Sequence, residues 1–90
     1  MVALTTRQRD ILRILLNTDK PIRTADLAEE IHLTARQVNY SMRGVRSWLK
    51  QENVALQSTP GLGVTLKCQP QKKTSLVAEL EKSDNVQLVL

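Results

Sequence analysis

The sequence is short of several residue types on which small proteins often depend. It has no Phe, one Trp and one Tyr among 90 residues, so its core must be built from Leu, Ile, Val and Ala. Its one cysteine, Cys68, cannot form an internal disulfide, and the lack of a cysteine framework suits a reducing cytoplasm. No apolar run approaches the ~20 residues of a membrane span, and the N-terminus lacks the apolar stretch of a signal peptide. We therefore expect one small cytoplasmic domain with no membrane segment.

Residue groups that support catalysis or metal binding are also lacking. The single histidine, His32, has no Cys or acidic partner at metal-ligand spacing. Gly61 and Gly63 are not followed by the Lys-Ser/Thr of a phosphate-binding loop. Nor does the sequence offer a nucleophile–base pair or an acid–base pair. It therefore predicts no enzyme activity, no cofactor and no metal.

Positive charge is present, and it is confined to the middle of the chain. The sequence has 13 Lys and Arg against 9 Asp and Glu, a net charge of +4. Residues 1–32 hold five basic and five acidic side chains, residues 33–73 hold seven and one, and residues 74–90 hold one and three. Such segregation indicates a polyanionic partner, most often nucleic acid, although a basic face can also serve only solvation.

Two short helices are predicted in the first third of the chain. Thr5 and Gln8 fit a capping box at the start of the first, which ends before Pro21. Thr24 is expected to cap the second, after an extended pair of residues at 22–23. The apolar positions of the two helices are Ile11, Leu12, Leu15 and Leu16, then Leu27, Ala28 and Ile31.

A third helix is predicted over about residues 35–51, capped by Thr34 with Gln37 as its reciprocal partner. Its buried stripe is expected at Val38, Met42, Val45 and Leu49. The opposite face carries Arg36, Tyr40, Arg43 and Ser47, flanked by Asn39, Lys50 and Gln37. Trp48 and Arg46 are expected to pack near the first helix or the hairpin described next. Gly44 costs about 1 kcal/mol relative to Ala in mid-helix, so it either permits a close approach or is merely tolerated.

The period of the apolar residues changes to two after residue 53, which predicts a β-hairpin. Pro60 and Gly61 suit the centre of a type II turn, and Gly63 permits a bulge. The expected inner face is Val54, Leu56, Val64 and Leu66. From residue 69 the composition indicates a polar linker, then a short helix capped by Thr74 or Ser75. The last residues, "NVQLVL", are expected to be extended and to lead toward a following domain.

Three helices followed by a hairpin predict a winged helix-turn-helix, mainly α with a two-stranded wing, over residues 1–68. In that fold the third helix enters the major groove, where Arg contacts guanine and Asn or Gln contacts adenine. The hydroxyl and N–H groups at the helix start, and a lysine on the wing, would hold phosphates. The predicted DNA-binding residues are Thr34, Ala35, Arg36, Gln37, Asn39, Tyr40, Arg43, Ser47, Lys50 and Lys67.

The sequence resembles the N-terminal domain of a family of bacterial transcriptional regulators. Its "RQRDILRILL", "DLAEEIHLTARQV" and "GLGVTL" segments are similar to the helix-turn-helix and wing of the PRD-containing activators of mannitol and lichenan operons. The resemblance spans residues 4 to about 68. It implies binding of double-stranded DNA near carbohydrate-uptake genes, with Arg36, Gln37, Tyr40 and Arg43 facing the DNA. A homodimer would form through regions outside this chain.

Two alternatives to DNA binding by such an activator stay open from the sequence. A winged helix can use the same surface to bind an acidic protein. The N-terminal domain of biotin-ligase repressors has nearly the same pattern, so the chain could also be the regulatory domain of a larger enzyme.

Overall fold

Four helices and one β-hairpin make up the structure, a computed structural model that describes the backbone of residues 4–89 and the side chains of residues 4–81. In chain order the elements are α1 (Thr6–Leu16), α2 (Thr24–Glu30), α3 (Ala35–Gln51), β1 (Ala55–Thr59), β2 (Gly63–Lys67) and α4 (Pro70–Val89). A mainly helical chain with a hairpin was predicted, and this level of the prediction is confirmed. The layout is compatible with a winged helix.

Capping boxes start α1 and α3, as predicted. The Thr5 hydroxyl accepts the Gln8 N–H at 3.2 Å, and the Gln8 side-chain oxygen accepts the Thr5 N–H at 2.9 Å. The same pair of bonds joins Thr34 and Gln37 at 3.1 and 2.9 Å. Each box satisfies two N–H groups that have no partner within the helix, so both helix starts are set by local sequence.

The predicted cap of α2 is wrong by one residue. Thr24 is already the first residue of α2, and Arg23 occupies the N-cap position without a side-chain cap. Ile22 explains the difference, because it exchanges two backbone hydrogen bonds of 2.9 Å with Val64 of β2. This bridge, which agrees with the predicted extended pair, holds the chain extended through Arg23, and α2 begins directly after it.

Both α2 and α3 end on a residue in the left-handed conformation that is not glycine. His32 has φ 57° and Asn53 has φ 60°. In each case the following N–H closes the helix, from Leu33 to the Ala28 carbonyl at 2.9 Å and from Val54 to the Leu49 carbonyl at 2.9 Å. The first of these turns leaves only residues 31–34 between α2 and α3.

The core lies between the four helices and the hairpin. The predicted stripes of α1 and α3 are buried in full, and Trp48 packs with them at 7% exposure. On the hairpin, Val54, Val64 and Leu66 are buried and Leu56 is half-buried. The buried apolar side chains are Leu4, Ile11, Leu12, Leu15, Leu16, Leu27, Ala28, Val38, Met42, Val45, Trp48, Leu49, Val54, Val64, Leu66, Leu76 and Leu80.

The hairpin has the predicted turn but not the predicted bulge. The Leu62 N–H bonds to the Thr59 carbonyl at 3.0 Å, and Gly61 has the positive φ of 80° that a type II turn requires. The antiparallel register runs without a break from Ala55 opposite Lys67 to Thr59 opposite Gly63. Gly63 is needed for another reason, since a side chain there would overlap the backbone of Ile22.

The C-terminal segment differs most from its prediction. It is one helix from Pro70 to Val89, so the predicted helix in this segment is confirmed, but the predicted linker, the cap at Thr74 or Ser75 and the extended end are wrong. Pro70 is the first residue of α4, where its missing N–H costs nothing. Leu76 and Leu80 are each 1% exposed within the same core as residues 4–68. Whether a further domain follows stays a prediction.

Candidate nucleic-acid interface

One side of α3 is exposed along its whole length. We call it the outer face of α3, and its members are Arg36, Asn39, Tyr40, Arg43, Ser47 and Lys50, all exposed. The buried stripe of the same helix lies opposite them, as the helical period requires. Arg46, which was predicted to lie beside α1 or the hairpin, is exposed to solvent.

Tyr40 projects from this face instead of lying along the helix. It is 76% exposed and is one of two large apolar side chains exposed in the described part of the chain. Its ring and hydroxyl are therefore accessible to a partner. An exposed aromatic among arginines is suited to contact with sugar, base or phosphate.

The start of α3 can receive an anion, although part of its hydrogen-bonding capacity is already used. Thr34 and Ala35 are exposed, and the first turn contains no acidic residue. The first N–H groups of the helix point outward and favour negative charge. Gln37 is half-buried with its side-chain oxygen bound to the Thr34 N–H at 2.9 Å. A bidentate contact to adenine needs that oxygen, so Gln37 can offer only its NH2 group while the cap is intact.

Lys67 lies at the base of the hairpin and not at its tip. It pairs with Ala55 at the opposite end of the register from Thr59 and Gly63, about 13 Å along the strand. The tip between them carries no charged side chain, and its most exposed apolar residue is Leu62. Lys67 is exposed, but the fold does not place its charge at the tip of the hairpin.

Acidic side chains are concentrated on α2 and not on α3. Asp26, Glu29 and Glu30 line one shallow depression, and Asp26 also pairs with Arg23 at 3.6 Å. Within α3 itself no acidic residue interrupts the arginines. The positive charge of residues 33–51 is therefore not neutralised within its own helix.

A feature that the sequence did not predict lies beside the outer face of α3. The first turn of α1 packs against the middle of α3 and leaves a groove of about 340 Å³ between them. We call it the α1–α3 groove, and it is lined by Thr5, Thr6, Arg7, Gln8, Tyr40 and Ser41. Arg7 is exposed and lines this groove together with Tyr40. In the sequence, Arg7 belongs to residues 1–32, where basic and acidic side chains are equal in number, so the charge pattern gave no reason to predict Arg7 as part of the basic surface.

Gly44 explains why α1 and α3 approach so closely here. A side chain at residue 44 would overlap the amide of Gln8. That amide is the one that closes the capping box of α1. The sequence indicated through the mid-helix Gly44 that another element could lie against the middle of α3. The structure shows that this element is α1.

The histidine and the cysteine considered in the sequence lie in different parts of the fold. His32 is exposed in the turn after α2, and Cys68 is half-buried after β2. Among the side chains of residues 4–81 there is no group of three or more His, Cys, Asp or Glu able to hold a metal ion. In the part of the chain that the structure describes, no helix is both long and apolar enough to cross a membrane.

Comparison with known proteins gives no assignment. No protein-family model matches the chain, and neither a curated protein nor a solved structure is significantly similar to it.

Proposed function

We propose that the chain is a winged helix-turn-helix domain that binds double-stranded DNA in a sequence-specific manner. In this proposal α2 and α3 form the helix-turn-helix, α3 is the recognition helix, and the β1–β2 hairpin is the wing. The observation that carries the proposal is the outer face of α3, which presents two arginines, an asparagine, a tyrosine and a lysine opposite a fully buried stripe.

The spacing along the outer face fits a contact with bases over a short stretch of duplex. Arg36 and Arg43 are two helical turns apart, about 10.5 Å, which corresponds to about three base pairs. Either arginine can donate two hydrogen bonds to a guanine, and Asn39 between them can pair with adenine. Ser47 and Lys50 lie farther along the helix, where contact with the sugar–phosphate backbone is expected.

The start of α3 supplies anchoring and not base recognition. Thr34 and the N–H groups of Ala35 and Arg36 would hold one phosphate, which fixes how far the helix enters the groove. Gln37 would keep its capping role and contribute at most an amide donor. Lys67 would meet a phosphate from the base of the wing.

The biological setting in this proposal comes from the sequence resemblance alone. We infer a bacterial transcriptional regulator of carbohydrate uptake or metabolism, in which this domain binds the operator and other parts of the protein form a dimer. Binding by a dimer would place two copies of α3 about one helical turn of DNA, ~34 Å, apart.

The proposal is tested by selecting bound sequences from a random duplex library and measuring affinity for the selected duplex against salt concentration. We expect the logarithm of the affinity to fall linearly with the logarithm of salt, by about 0.9 for each phosphate contact. Arg43→Ala should weaken the selected duplex by about 1–3 kcal/mol and relax the preference at one base. Arg13→Ala, on an exposed residue of α1 paired with Asp10, serves as the control and should match the parent protein.

A folded protein that fails to retard any duplex at low salt would contradict DNA binding and favour the rival, a winged helix that binds an acidic protein. A protein that binds all sequences with equal affinity would contradict base recognition by α3.

A further inference from the structure

We propose that the α1–α3 groove holds a phosphate of the DNA backbone, so that the first turn of α1 is a second anchoring point beside the recognition helix. The inference rests on the proposed function, because the phosphate belongs to the duplex that α3 contacts. It adds residues of α1, and Ser41 of α3, to a set of contacts that the sequence confined to α3 and the wing.

The first turn of α1 has donors that its capping box leaves unused. The first N–H groups of any α-helix have no partner within the helix. In α1 the box satisfies the N–H of Gln8, which leaves those of Thr6 and Arg7. No acidic residue lies in this first turn, so the positive end of an eleven-residue helix has no counter-charge of its own.

Ser41 provides an independent indication of a ligand at the same place. It is a polar residue with only 5% exposure, and it lines the groove from the α3 side. Its hydroxyl makes no hydrogen bond to any residue that the structure describes. No fully buried side-chain N or O atom in the described residues lacks a partner, so the unbonded Ser41 oxygen is open to the groove that Ser41 lines. There the hydroxyl can donate a hydrogen bond to a phosphate oxygen.

Arg7 and Tyr40 complete a set of donors around this position. Both are exposed on the rim of the groove, one from each helix. A guanidinium forms short, charge-assisted hydrogen bonds to phosphate oxygens and is often bidentate. No acidic residue lines the groove, so nothing in it repels an anion.

The neighbourhood of the groove identifies the duplex as the source of the phosphate. Tyr40 belongs both to the groove and to the outer face of α3, so the groove opens beside the surface proposed to enter the DNA. An α-helix about 10–12 Å across nearly fills a major groove about 12 Å wide. The two phosphate backbones then flank the helix, and an element packed against its side meets one of them.

The test compares Arg7→Gln and Ser41→Ala with Arg13→Gln as a matched control. Arg13 lies on the same helix but pairs with Asp10 at 3.2 Å and lines a separate depression with Val77 of α4. Arg7 is exposed and alanine favours helix at position 41, so both variants should fold, which a thermal melt checks.

Arg7→Gln is expected to weaken binding of the selected duplex about tenfold at ~0.1 M salt and to reduce the salt slope by about 0.9. The same loss should appear with random duplex, because a phosphate contact carries no sequence information. Ser41→Ala should also lose about tenfold, with the salt slope unchanged because no charge is removed. Arg13→Gln should bind as the parent protein does.

If the parent protein binds duplex while Arg7→Gln and Ser41→Ala match the control, the groove holds no phosphate and DNA binding by α3 stands. If Arg7→Gln alters the base preference, the groove contacts bases and the inference is overturned. If the parent protein binds no duplex at all, both proposals fail.

Discussion

At residue 44, α3 has a glycine because the capping side chain of α1 lies against it. The amide of Gln8 would overlap any side chain there, and the same amide accepts the Thr5 N–H at 2.9 Å. A local motif at the start of one helix is thus tied to a single position in the middle of another. Thr5 and Gln8 also line the α1–α3 groove.

Gly44→Ala tests this coupling. Alanine gains about 1 kcal/mol of helix propensity. In the parent protein we expect no net gain, since the displaced Gln8 amide loses a hydrogen bond with a net value of about 1 kcal/mol. In a Gln8→Ala background the amide is absent, and Gly44→Ala should raise the free energy of unfolding by about 1 kcal/mol. Urea denaturation of all four proteins measures the cycle, and purely additive changes would contradict the contact.

At the scale of the elements, the order and the faces of the first three helices follow from local sequence, whereas the start and the length of α4 do not. The predicted stripe of α3 is buried and its predicted outer face is exposed, because a period of 3.6 residues and a capping box at Thr34 determine both. Pro70 was interpreted as part of a linker, yet it begins a helix. The sequence pattern alone cannot distinguish these two roles of proline.

The ion pair between α4 and the α1–α2 connection predicts a pH dependence. Lys73 lies 2.8 Å from Asp19. Its hydrogen bond, and then its charge, lower the pKa of Asp19 below the ordinary value of 3.8. A carboxyl whose pKa is lower in the folded state stabilises the fold at pH values above that ordinary pKa, and this contribution is lost as the pH falls through the folded value.

Asp19→Asn should therefore make the protein slightly less stable at pH 7 and reduce the loss of stability below about pH 4. The effect is small, because the Asp19 side chain is 95% exposed to solvent. Unfolding free energies measured from pH 7 to about pH 2.5 test it, with Lys73→Gln as the reciprocal variant. If the two side chains stabilise the fold only through their ion pair, the double variant Asp19→Asn/Lys73→Gln should be as stable as either single variant. A double variant that is less stable than both would contradict this.

At the scale of the whole molecule, residues 4–68 and α4 share one core. Leu76 and Leu80 are fully buried there together with residues of α1 and α3. The predicted boundary at residue 68 therefore crosses a packed interface. A small domain depends strongly on each buried side chain, since its total stability is only about 5–15 kcal/mol.

Leu76→Ala is expected to lower the free energy of unfolding by about 2–5 kcal/mol, because it leaves a cavity between α4 and the other helices. Ser75→Ala, at the preceding exposed residue, is the control and should change stability by less than about 0.5 kcal/mol. Equal stabilities of the two variants in urea denaturation would mean that α4 is not part of the core.

The sequence by itself determined the helix starts at Thr5 and Thr34, the buried and exposed faces of α3, and the turn at Pro60 and Gly61. These depend on hydrogen bonds and periodicities within a few residues. Only the tertiary structure decided which residues distant in sequence come into contact. Gln8 lies against Gly44, Ile22 lies against Gly63, Arg7 and Tyr40 line the same groove, and Leu76 belongs to the common core. Contacts of that kind depend on how whole elements pack, and packing leaves no fixed spacing in the sequence.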